Sequence, residues 1–311
     1  MEKPFAQAIG LQLTQAHKKV YKMKKLISLI TCILLPQICF ADQALLATPA
    51  KQLPSIDGIA DDPVWQQASV VKTFDPIANL EIEIRAVYTE DSIAMLIEFD
   101  DDDENRTHKP LIWDRAAGIY KAGPQREDTM VIKWNMNLLP TDLRLTSDRP
   151  YKADVWYWKS YRTDHAGYAD DKCHNYSKYK HSDKNKRLVS NKGQIFYFSR
   201  YSDSGKSAYQ SLVPTTYFGD RVEGFKLGKP QGSLADVRAK GIWQNKRWTI
   251  EFARKLQTGH DDDVQFITSN KYQLGVSRHE IAGRKPDAKI QQPNFGSGEI
   301  TEPLTLTFLP R

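Results

Sequence analysis

Cysteine is scarce in this chain, and long apolar runs are missing outside its amino-terminal region. Three cysteines in 311 residues cannot staple a chain of this length, which excludes a disulfide-built scaffold. No Cys-x-x-Cys-His occurs, so covalent c-type haem attachment is out. No Gly-x-Ser-x-Gly elbow occurs either, and no nucleophile–base set for hydrolysis can be picked out. Helical periodicity over any length is absent. Against these gaps stand 40% hydrophobic and 11% aromatic residues with 26% charged. That balance excludes wholesale disorder and supplies core for one large domain.

The charge of +6 invites a nucleic-acid reading, but its position argues otherwise. Met23-Lys24-Lys25 precede the apolar run Leu26–Leu35, followed by Pro36-Gln-Ile-Cys-Phe-Ala41. A basic start, an apolar stretch and a small residue before the cut have the form of a secretory signal peptide, with cleavage expected at Ala41|Asp42. The run falls short of the ~20 residues a spanning helix needs, and Pro36 interrupts it. The residues before Met23 read as an over-extended start. Residues 1–41 contain six of the 44 basic residues and one of the 38 acidic ones. The exported chain is then 38 basic against 37 acidic, nearly neutral, with Cys173 as its single thiol. A periplasmic location is expected, with no nucleic acid partner and no membrane anchor once the leader is cut.

The expected organisation is a leader over 1–41, a short linker over 42–54, and one domain over 55–311. Leu80–Tyr88 alternates apolar and polar residues, turns at Thr89–Ser92 and returns as Ile93–Phe99, a hairpin. Thr129–Met136, Ile242–Phe252, Tyr272–His279 and Leu304–Phe308 read as further strands. Short helical turns are expected within Pro110–Tyr120 and Asp261–Phe266. Residues 141–239 read as an elaborated, loop-rich insertion. These elements predict an all-β antiparallel sandwich with few short helices.

Several constellations could carry chemistry. In Ile56-Asp-Gly-Ile-Ala-Asp-Asp-Pro-Val-Trp65, Asp57-Gly58 suits a tight turn, Pro63 starts a helical turn, and Trp65 plugs the core. The acidic runs Asp100–Glu104 and Asp261–Asp263 offer hard oxygen donors for Ca²⁺. Neither has EF-hand spacing, and solvated strand ends are the simpler reading. Trp156 and Trp158 share a strand face, suited either to core packing or to stacking on a planar cofactor or a sugar ring. Cys173 with His165, His174 and His181 matches no zinc signature and reads as solvated loop. Met136, at the end of its strand, is a core filler or an axial ligand to haem iron.

Taken in order, these pieces resemble the haem-binding domain of the ethylbenzene dehydrogenase gamma-subunit type, also described as the cytochrome c-552/DMSO reductase-like haem-binding domain. The segments that carry the resemblance are Ile56–Trp65, Ile84–Phe99, Glu127–Asn137, Ala153–Lys159 with Gly167–Asp171, and Arg247–Gly259. The resemblance implies a sandwich related to family 9 carbohydrate-binding modules, and non-covalent haem b held by a methionine and a lysine. The methionine maps onto Met136. The nitrogen ligand is expected beyond the late strand, where His279 and Lys285 compete. Lys285 would need a desolvated site to be neutral, a cost His279 does not carry. Trp134, Trp156 and Trp158 are the expected pocket walls. The family's cysteine- and histidine-containing loop is shortened here to Leu138-Leu-Pro140.

The expected function is electron transfer and not catalysis, because a six-coordinate iron leaves no open position for substrate. A molybdenum oxidoreductase or multihaem cytochrome is the implied redox partner. The rival expectation is a secreted carbohydrate-binding module without haem, stacking sugar on Trp156 and Trp158.

Overall fold

Strand β3 (Leu80–Tyr88) and strand β4 (Ser92–Asp100) form the expected hairpin, with Ile84 opposite Ile97 and Ala86 opposite Met95. β3 alternates as a half-buried strand should, sinking Ile82, Ile84 and Ala86 completely. β4 is apolar on both faces because two clusters cover it. Met95, Ile97 and Phe99 join the main core, while Ala94 and Leu96 pack under Trp65. The computed structural model describes residues 43–75, 80–202, 204–279 and 303–311. The leader Met1–Ala41 and Lys285 lie outside the described residues.

The chain enters through β1 (Gln43–Pro49), then α1 (Pro63–Gln67) and β2 (Val71–Asp75). After β4 come the short strands β5 (Leu111–Asp114) and β6 (Ile119–Ala122), then β7 (Thr129–Asn135), β8 (Tyr151–Lys159) and β9 (Asp170–Ser177). β10 (Lys186–Val189), β11 (Ile195–Ser202), β12 (Tyr209–Ser211), β13 (Arg221–Val222) and β14 (Phe225–Leu227) follow. The last are β15 (Arg238–Gln244), β16 (Arg247–Lys255), β17 (Lys271–His279) and β18 (Leu304–Phe308).

The main hydrogen-bonded path runs β10-β11-β9-β8-β7-β17-β18-β1-β3-β4-β16-β15, with β2 beside β3. Its two halves face each other. Strands β8 and β16 are far apart along that path, yet Trp158 meets Trp248 at 4.9 Å and Trp156 meets Phe252 at 6.5 Å. Sandwiching is the way such distant strands share one core. Gly241 of β15 permits the closest approach: a Cβ there would sit 2.5 Å from the Trp158 ring.

Three expectations are corrected. Residues 43–49 are not linker. They form β1, which pairs in parallel with both β18 and β3 and bridges the two halves. Pro110–Tyr120 carries no helix; β5 and β6 pair there as a hairpin across Gly118 at φ +64°. The segment 141–239 holds more strand than its polar composition suggests, since β8, β9, β10 and β11 extend the second layer. The Pro63 helical turn and the buried Trp65 are found as expected, and the Trp65 indole donates to Glu251 at 2.7 Å.

Candidate functional site

Along β7 the even positions Met130, Ile132 and Trp134 enter the main core. Met136 continues that series one residue past the strand. Its backbone N–H donates to the Lys152 carbonyl at 3.1 Å, adding a rung beyond the last register pair, Asn135 with Ala153. The side chain is half-buried and packs on the main core.

The loop that follows is tied to β17 by two side-chain amides. Asn135 Nδ2 donates to Gln273 Oε1 at 2.9 Å and to the Leu139 carbonyl at 3.0 Å. Gln273 Oε1 also accepts from the Thr141 N–H at 2.8 Å. This arrangement presents Leu138 and Leu139 to solvent, at 103% and 71% exposure, on one rim of a cleft. The cleft encloses about 620 Å³ between 135–140 and the segments 263–265 and 269–273. That size is within the range of small-molecule and cofactor sites.

Below the cleft lies a chain of rings. Tyr272 lines the opening and meets Phe266 edge-on at 4.9 Å. Phe266 meets Trp134 at 4.9 Å, and Trp134 meets Trp156 at 5.2 Å. Trp134, Trp156 and Trp158 are all completely buried. They are floor and core here, not exposed walls. Trp158 is further along β8, where its indole donates to Asp164 at 2.9 Å. The pair Trp156/Trp158 therefore offers no exposed face on which a sugar could stack. The indole N–H groups of Trp134 and Trp156 have no acceptor among the described residues, an uncommon state for buried donors.

The expected ligands separate. Met136 is at the cleft. His279 pairs with Thr129 at the other end of the β7–β17 ladder. Seven residues of extended chain span roughly 24 Å, too far for Met136 and His279 to meet on one iron. Lys285 lies outside the described residues. Sequence reasoning missed Lys271, the first residue of β17, which lines the same cleft as Met136. It stands one position before the expected start of that strand, so the alternation pattern gave no reason to single it out.

The acidic runs also resolve. Asp100 pairs with Arg247 at 2.8 Å, Asp102 with Lys246 at 3.1 Å and Glu104 with Arg106 at 2.5 Å. Asp101 pairs with Arg278. Those four carboxylates are spent on separate cations and do not converge. In the other run, Asp261 is exposed while Asp263 is buried beside Arg254 at 3.1 Å. Burial and neighbouring carboxylates push the Asp263 carboxyl up to about 6. Cys173 and His174 are buried in β9, not solvated; His165 and His181 are exposed. Burial among Lys133, Arg200 and Lys172 holds the His174 ring neutral, well below the usual histidine range.

The carbohydrate-binding module of family 9 from Caldicellulosiruptor kristjanssonii, solved with glucose, superposes with a TM-score of 0.38 at 10% identity, covering 86% of this chain and 97% of that one. A putative carbohydrate-binding protein from Bacteroides uniformis gives 0.39 at 11% identity, covering 86% and 100%. A search of curated proteins gives no match. The family described as ethylbenzene dehydrogenase matches residues 62–285, a span that takes in the Met136 strand, the Trp156/Trp158 strand and β17. The chain belongs to the ethylbenzene dehydrogenase family.

Proposed function

We propose that the protein is an exported b-type haem carrier, and that the cleft at Met136 is where the haem docks. The observation that carries this reading is a half-buried thioether that ends a core strand and lines a cleft of about 620 Å³. A thioether donor would favour the reduced iron and raise its potential. Haem, when bound, supplies one-electron chemistry. The chain's own residues then have plain roles. Met136 would hold the group from the end of β7, and Lys271, exposed at the start of β17 on the same cleft, would donate its nitrogen once the bound haem desolvates the amine. Asn135 and Gln273 hold the two strands in position around them. The Tyr272–Phe266–Trp134 rings supply an apolar floor that keeps water from the inner face.

Held by two protein ligands, the group would serve electron transfer and not substrate catalysis. Exposed Leu138 and Leu139 on the rim suit contact with a redox partner. By analogy with the family that partner would be an oxidoreductase subunit or a multihaem cytochrome. Among the described residues no helix is long and apolar enough to cross a membrane.

The test is to replace the axial candidates one at a time in haem-loaded protein. Met136→Ala and Lys271→Ala should each abolish the six-coordinate spectrum, while Lys285→Ala and His279→Ala leave it intact. Loss in Lys285→Ala with retention in Lys271→Ala would move the nitrogen ligand to Lys285. Retention in Met136→Ala would overturn the site.

A further inference from the structure

We propose that Asp154, Asp171 and Asp263 form a buried site for a divalent, oxygen-preferring cation, Ca²⁺ by size and coordination habit, between the cleft floor and the core. The three carboxylates come from β8, β9 and the loop before β17, and one oxygen of each lies within 4.8 Å of the other two. All three residues are buried, at 0%, 0% and 5% exposure. A set made only of carboxylates selects hard cations over zinc, copper or iron. Ca²⁺ tolerates irregular geometry, whereas Mg²⁺ demands near-octahedral order and holds its waters.

Arg254 does not complete the group. Its guanidinium takes Asp154 Oδ2 at 2.7 Å and Asp263 Oδ1 at 3.1 Å, and also the Val264 carbonyl. Asp154 Oδ2 accepts the Val264 N–H at 2.9 Å as well. All these donors therefore fall on one oxygen of Asp154. The other, Oδ1, accepts no hydrogen bond from any described residue, on a side chain with no exposure. Trp156, cross-strand from Asp171, lies under the Arg254 guanidinium at 5.0 Å. A buried carboxylate oxygen left unpartnered in this way costs free energy unless a proton or a metal ion reaches it.

Among the described residues Arg254 is the guanidinium shared by Asp154 and Asp263, and it leaves Asp154 Oδ1 unreached. The next groups out are Asp236 and His260, which pair with each other at 2.5 Å, with His260 Nδ1 3.9 Å from Asp263 Oδ2. Asp262 adds a further negative charge nearby. Two outcomes satisfy the unpartnered Asp154 oxygen: carboxyl protonation or a divalent cation. Burial raises both Asp154 and Asp263 above the usual carboxylate range, which is the state of the group when only protons are on offer. The site makes no use of haem and stands whether or not the cleft binds it.

The experiment uses the full exported chain, stripped with chelator and melted with and without millimolar CaCl₂. Terbium luminescence excited through tryptophan provides a second reading, since Trp156 adjoins the site. Ca²⁺ should raise Tm by about 5 °C or more, the size expected when a ligand far above its Kd binds only the native state of a domain this large. Tb³⁺ should luminesce and be displaced by Ca²⁺. Asp171→Asn and Asp154→Asn should each weaken binding at least tenfold, and Asp261→Asn, in the exposed part of the same acidic run, should stay within twofold. Equal Tm with and without Ca²⁺ at neutral pH, together with silent Tb³⁺, would overturn the proposal and leave protonation as the balancing charge. Unchanged affinity in both cluster variants would overturn it too. If neither variant folds, the wild-type melt and luminescence decide.

Discussion

Asn135 and Gln273 face each other across the β7–β17 ladder and are joined amide to amide, Nδ2 to Oε1, at 2.9 Å. Gln273 Oε1 holds the Thr141 N–H with the same oxygen, so one acceptor fixes both the end of β7 and the return of the Met136 loop. Gln273→Ala removes both bonds and should cost about 1–2 kcal/mol, the net worth of two hydrogen bonds. Urea denaturation measures this. If Gln273 positions the cleft, the variant also loses haem faster in a transfer assay, while Gln257→Ala, outside the cleft lining, does not.

Arg254 lies between Asp154 and Asp263 with neither it nor Asp154 exposed. Arg254→Met should destabilise by about 3–5 kcal/mol, because it strands buried carboxylates without their cation. Adding Asp154→Asn to that variant should recover part of the loss, since a neutral amide does not need the guanidinium. Denaturation of the single and double variants in chelator gives the coupling.

Asp128 supplies a pH prediction. Burial and the nearby Asp101 push its carboxyl up to about 7, against the Asn105 N–H and the Trp248 indole, which favour the charged form. Its folded value lies above its unfolded one near 3.9, so between these values the native state binds the extra proton. That stabilisation is present below about pH 4 and is lost as the pH rises through 7. Asp128→Asn keeps an acceptor oxygen without the charge. Relative to wild type it should gain on the order of 1 kcal/mol or more at pH 8 over its difference at pH 4. Thermal melts at the two pH values check the sign.

Much of the sandwich was legible because its strands are long and locally paired. The β3–β4 and β15–β16 hairpins pair apolar runs around short turns, and Asn245 and Lys246 adopt the left-handed conformation that the second turn requires. Strand β1 was not legible, since its partners Leu304–Phe308 and Ala86–Tyr88 are distant in sequence and parallel pairing leaves no hairpin signal. β5 and β6 are four residues each, too short for period two to declare itself.

The site was half legible for the same reasons. Met136 stood out as a thioether ending a core strand, and the structure gives it a cleft. The separation of Met136 from His279 depends on the register of β7 against β17, which no single sequence states. The Asp154–Asp171–Asp263 group with Arg254 joins four segments whose individual residues read as ordinary strand polarity. Burial alone turns those residues into a charge problem.

The central claim is haem at Met136, and the visible spectrum of the exported protein, produced with haem available, tests it most directly. A Soret band that shifts on reduction and collapses in Met136→Ala is expected. A colourless protein that takes up no added haem, and that is retained on a polysaccharide column instead, would contradict it.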